Sequence, residues 1–140
     1  FTLIELLVVI AIVGVLAAVV LIAINPARRL AQARDAGRKS DISQIATAIT
    51  AFYTSNANGS YPNALADVVP QDLKQLPTQP TGAAYSYTVI PAACDETSSA
   101  APCTEAAVFA TLEAPDVTGT PVWCYRTATG KAALAASCAP

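Results

Sequence analysis

Phe1-Thr2-Leu3-Ile4-Glu5-Leu6-Leu7-Val8-Val9-Ile10 opens an apolar run that continues to Ile24, and Thr2 and Glu5 are its only polar side chains. A helix over residues 1–24 is about 36 Å long, enough to cross a bilayer with some tilt. The run is predicted to be a membrane span. A secretory signal peptide is a competing reading, but it starts with methionine and a basic region and ends at a small-residue cleavage site. Here the charges follow the apolar run, and methionine is absent from the chain. Phe1 is therefore expected to have been exposed by proteolysis, the other explanation being a fragment.

Glu5 demands a partner, because a carboxylate inside an apolar span costs a few kcal/mol even on lenient insertion scales. It could sit near enough to the membrane surface to reach the headgroups. The alternative is a cation from another subunit, and the nearest unassigned one is the α-amino group of a neighbouring Phe1. Such a pair would fix the axial register between subunits, since an uncompensated buried charge is heavily penalised.

The run Phe1 to Ile10, followed by Ala11-Ile12-Val13-Gly14-Val15-Leu16-Ala17-Ala18, closely resembles the mature N-terminus of bacterial type IV pilins and type II secretion pseudopilins. The likeness covers about the first 25 residues. It implies cleavage by a prepilin peptidase just before Phe1 and N-methylation of Phe1. It also implies that Phe1, Thr2 and Glu5 act in assembly, which agrees with the charge argument for Glu5. The basic cluster Arg28, Arg29, Arg34, Arg38 and Lys39 pulls the other way: the positive-inside rule would put the residues after the span in the cytoplasm. The cysteines ask for an oxidising location instead. By the resemblance, a short basic leader balances the cluster until it is removed.

After Ile24, Asn25-Pro26 interrupts the pattern, and a proline inside a helix removes a hydrogen bond and clashes with the preceding turn. Helix breaks are expected at Gly14 and Pro26, the interval between them being where regularity is lost as subunits pack. Members of the resembled family often carry a proline slightly earlier, where this chain has Ile22. Beyond Pro26, Ile42, Ile45, Ala46, Ile49, Phe52 and Tyr53 recur at three- and four-residue spacing and predict a face lying on a sheet. Arg34, Arg38, Lys39, Asp41, Ser43 and Thr47 are expected on a solvated or subunit-facing side. The basic cluster is read as a collar facing lipid headgroups, or as pairing across subunits with Asp35, Asp41 or head carboxylates. Asn58-Gly59 stops the helix and Pro62 prevents its resumption.

The chain thus divides into a helical stalk, 1–56, with 1–24 as transmembrane segment and filament core, and a head, 57–140, entered through a proline-rich connector, 57–83. A short helical turn is expected around Ala64 to Val69. Strands are predicted over Ala84 to Ile90, Ala106 to Glu113 and Pro121 to Thr127, with a weaker one from Lys131 to Ala135 after Thr129-Gly130. The expected fold is α+β: a long N-terminal helix, part membrane span and part amphipathic, packed on a small antiparallel meander. Trp123 and Tyr125 read as packing residues. Four cysteines, Cys94, Cys103, Cys124 and Cys138, allow three pairings; Cys94 with Cys103 and Cys124 with Cys138 are favoured. Asn58-Gly59-Ser60 also fits a glycosylation acceptor, though the helix-stop reading is preferred.

Composition limits the chemistry. The chain is 54% hydrophobic and has no histidine, which removes the commonest general base and metal ligand. No catalytic residue, metal site or cofactor is expected; Asp95 and Glu96 alone are a poor calcium signal. Beyond Ser40 three basic residues face eight acidic ones, so the head repels phosphate, and nucleic acid is expected only through an assembled fibre. The resemblance implies a structural subunit that polymerises into an extracellular type IV pilus, with adhesion, twitching motility or DNA uptake as family roles. Its expected partners are identical subunits, the prepilin peptidase, the assembly machinery and, before assembly, the inner membrane. A pseudopilin of a secretion or competence system is the alternative; a membrane-anchored enzyme or binding protein would need a constellation of reactive groups that the sequence lacks.

Overall fold

The computed structural model describes residues 2–140 except 57, 116, 117 and 120. Two helices lead the chain: α1 (Leu3–Ile24) and α2 (Pro26–Ser55). Thr2 caps α1: its hydroxyl accepts the Glu5 N–H, and the Glu5 carboxylate accepts the Thr2 N–H in return. Much of α1 is Val and Ile, which are mediocre helix formers. In an apolar medium that hardly matters, because a helix satisfies every internal backbone group by itself.

A single residue separates the helices. Asn25 takes the left-handed conformation, with φ 46° and ψ 77°, and serves as C-cap of α1 and N-cap of α2. Its Oδ1 accepts the Arg28 N–H at 3.3 Å, and Pro26 at the first position of α2 needs no hydrogen-bond partner for its nitrogen. The break expected at Pro26 is thus found beside it. At Gly14 there is none: α1 passes through unbroken. One glycine costs a helix about 1 kcal/mol, too little to interrupt a ladder intact on both sides.

Strands β1 (Ser86–Ile90), β2 (Glu105–Thr111), β3 (Val122–Arg126) and β4 (Lys131–Ala135) form one antiparallel sheet in the order β1-β2-β3-β4. This is the α+β meander expected. The register aligns Tyr87 with Val108, Val108 with Tyr125, and Ala110 with Trp123. These residues face α2, whose Ile42, Ile45 and Ile49 are fully buried against them. Tyr53, expected on that face, is exposed and stacks on Tyr61 with ring centroids 4.5 Å apart. The connector contributes a 3-10 turn (Leu65–Val68) that buries Val68 in the same core. Tyr87 Oη donates to the Pro62 carbonyl at 2.6 Å, fastening the connector to the sheet.

The other face of the sheet is covered at β3. Cys124 is buried there and bonded to Cys138, and Arg126 donates to the carbonyls of Ser137 and Ala139 at 3.1 and 2.7 Å. The second disulfide, Cys94–Cys103, closes the loop between β1 and β2. These are the two pairs favoured from the sequence.

Candidate functional site

Nothing in α1 is buried, and its leucines, isoleucines and valines lie open along all sides. Its 22 residues span about 33 Å, matching the roughly 30 Å hydrocarbon layer of a bilayer. It is the one described helix long and apolar enough to cross a membrane. A helix apolar all round has no core to join within its own chain, so lipid or other helices must cover it.

At the start of α1, Glu5 Oε2 accepts the Thr2 N–H at 2.8 Å and the Thr2 hydroxyl at 3.1 Å, while the Glu5 N–H donates to Thr2 Oγ1 at 3.3 Å. This reciprocal cap satisfies two N–H groups that a helix start otherwise leaves open. It was readable as Thr-x-x-Glu, the capping-box spacing, and it gives Thr2 a definite part beside Glu5. Phe1, expected to supply the cation for Glu5 and to be N-methylated, lies outside the described residues.

Ten residues beyond Asn25, part of the basic cluster turns inward: Arg38 is buried and Arg34 half-buried, while Arg28 and Arg29 stay exposed. Asp35 and Arg38 are 4% and 3% exposed, and Arg38 Nη1 donates to Asp35 Oδ1 at 2.7 Å. Asp35 also accepts the backbone N–H groups of Glu113 at 2.9 Å and Ala114 at 2.8 Å. Arg38 Nη2 pairs with Glu113 Oε1, Arg38 Nε donates to Gln79 Oε1 at 3.1 Å, and Arg34 Nε donates to Glu113 Oε2 at 2.8 Å. Hydrogen bonds from Arg34, then from Arg38, hold the Glu113 carboxyl down at about 2, against an ordinary 4.5. The network clamps α2 to the end of β2 and to the connector. Lys39 lies over the Trp123 ring, its Nζ 4.8 Å from the centroid.

Two expectations are corrected here. Arg38 is not on a solvated face, and Asp41 accepts the Tyr85 hydroxyl at 2.6 Å. Burial, and then this bond, push the Tyr85 phenol above its ordinary value. The signal was present in the spacing: Asp35, Arg38, Ile42, Ile45 and Ile49 are one continuous buried stripe at three- and four-residue intervals. Charge concealed the first two members, because charged side chains are rarely buried unless paired.

No family model matches the chain, and neither a curated protein nor a solved structure does. Among the described residues no three of His, Cys, Asp or Glu converge to hold a metal ion. All four cysteines are in disulfides, which leaves no thiol for nucleophilic chemistry. The Asn58-Gly59-Ser60 acceptor pattern is engaged elsewhere: Ser60 is fully buried and accepts the Cys103 N–H at 2.8 Å. The distinctive surface is therefore α1 with its Thr2–Glu5 cap, carried by a head that is clamped and stapled.

Proposed function

We propose that this chain is the structural, non-catalytic subunit of an extracellular filament of the type IV pilus kind, held in the cytoplasmic membrane by α1 before assembly. The observation that carries the reading is the complete exposure of α1 on a folded head. Before assembly lipid covers that surface; in the filament, identical helices cover it. Glu5 gives the helices a reason to leave lipid for each other, since its charge is costly in hydrocarbon and gains a partner in the polymer. The resemblance of residues 1–25 to pilins and pseudopilins supports the same reading, with adhesion, motility and DNA uptake as the roles of such fibres.

The Thr2–Glu5 cap supplies a sharper test than alanine alone. Glutamine keeps the capping geometry and loses the charge. Expressed with a pilus assembly machinery, Glu5→Gln and Glu5→Ala should both leave monomers in the membrane and few fibres by electron microscopy. Loss in Glu5→Ala alone would assign Glu5 to helix capping, and normal fibre yield from both variants would end the assembly reading.

A further inference from the structure

Asn56, Asn58, Ser60 and Tyr61 bond to the disulfide-closed loop 94–103 as a latch. Besides the Ser60 contact, the Tyr61 N–H donates to the Cys103 carbonyl at 3.0 Å. At the other end, Asn56 Nδ2 and Asn58 Nδ2 donate to the Glu96 carbonyl at 3.1 and 3.3 Å, and Asn58 Nδ2 to the Thr97 carbonyl at 2.9 Å. The Asn58 backbone N–H donates to Asn56 Oδ1 at 3.0 Å, its side-chain amide alone reaches the loop, and Gly59 follows it. Of the four asparagines, Asn25 precedes proline, Asn56 and Asn63 precede alanine, and Asn58 alone precedes glycine.

That pairing carries chemistry. The backbone nitrogen of the residue after an asparagine can attack the side-chain amide carbon, forming a C–N bond and expelling ammonia to leave a cyclic imide. Water then opens the ring to aspartate or isoaspartate, so the net change is amide plus water to carboxylic acid plus ammonia. A following glycine is the fastest case because it has no Cβ to obstruct the attack. Both Asn58 and Gly59 are exposed, so water has access.

We propose that Asn58 is a self-modification site, guarded by the latch, whose deamidation releases the 94–103 loop. While the latch is closed, the Gly59 N–H is committed to the Asn56 carbonyl at 3.0 Å and the Asn58 amide is pinned to the loop. The reaction therefore runs from the opened state, and its rate follows how often the latch opens. The product cannot close it again. A carboxylate at position 58 has no donor and sets its oxygens against the Glu96 and Thr97 carbonyls. A neutral donor becomes a charged acceptor, and the change runs one way.

The test uses the full chain in detergent micelles at pH 8 and 37 °C, with peptide mapping for aspartate and isoaspartate. Position 58 should convert ahead of Asn25, Asn56 and Asn63. Asn56→Ala, which removes one strut of the latch, should speed conversion about tenfold. Asn58→Asp, which mimics the product, should raise amide hydrogen exchange at residues 95–99 while leaving β2 and β3 protected. No conversion at position 58 in either chain, an Asn56→Ala rate equal to the parent, or wild-type exchange in Asn58→Asp would each overturn the proposal.

Discussion

Arg38 Nη1 lies 2.7 Å from Asp35 Oδ1, and both side chains are almost wholly buried although each carries a full charge. Burial of that kind is tolerated only where every lone pair and proton finds a partner. Asp35 meets the condition through two backbone N–H groups and Arg38 through Glu113 and Gln79. The pair therefore specifies where the end of β2 meets α2 more than it adds stability.

Asp35→Ala should destabilise the head by about 3 kcal/mol, because it strands the Glu113 and Ala114 N–H groups and weakens the pairing of Arg38. Adding Arg38→Met should recover part of the loss by removing the stranded charge. Urea unfolding of the full chain in detergent, followed through Trp123, reads both; a loss below about 1 kcal/mol in the single variant would mean the clamp is dispensable.

Glu113 makes the clamp sensitive to acid. Its folded value, about 2, lies below its ordinary 4.5, so the folded chain binds the proton more weakly than the unfolded one. The stabilisation is complete above the ordinary value and is lost as pH falls through the interval down to about 2. Midpoints measured across that interval should fall, and Glu113→Gln should show a shallower fall. An unchanged slope in the variant would locate the acid sensitivity elsewhere.

The joint at Asn25 is over-determined. Asn25→Ala alone should leave the helices broken, since the residue before a proline is disfavoured in the α conformation. Only Asn25→Ala with Pro26→Ala should fuse α1 and α2, seen as helical chemical shifts at position 25 in micelles. Fusion in the single variant would mean that the asparagine, and not the proline, holds the break.

The two disulfides should differ in local effect. Each contributes about 3 kcal/mol by restricting the unfolded chain. Loss of Cys94–Cys103 leaves its loop held by Ser60, Asn56 and Asn58. Loss of Cys124–Cys138 leaves residues 136–140 with the two Arg126 bonds to Ser137 and Ala139. Cys138→Ser should expose that tail to carboxypeptidase, and Cys103→Ser should not; equal digestion of both would contradict the difference.

Elements with one dominant periodicity were legible from residues alone. The unbroken apolar run gives α1, the isoleucine spacing gives the buried face of α2, and alternation through Tyr85, Tyr87 and Val89 or Val108, Ala110 and Leu112 gives the inward faces of β1 and β2. The clamp was not legible, because Arg38 and Glu113 are 75 residues apart and nothing local marks them as partners. The Thr2–Glu5 cap was visible as a spacing but was overshadowed by the electrostatic cost of Glu5. Gly14 and Pro26 both looked like weak points, yet one glycine costs little, whereas a proline removes a donor and restricts its predecessor too.

The lone left-handed residue between the helices makes α1 a lever. Its far end lies about 33 Å from Asn25, so a backbone rotation of about 10° there sweeps the Thr2 end through about 6 Å. No contact inside the head has to change for this to happen. Under the proposed filament role, this joint would let a subunit re-aim its tip on passing from bilayer to bundle while its head stays rigid.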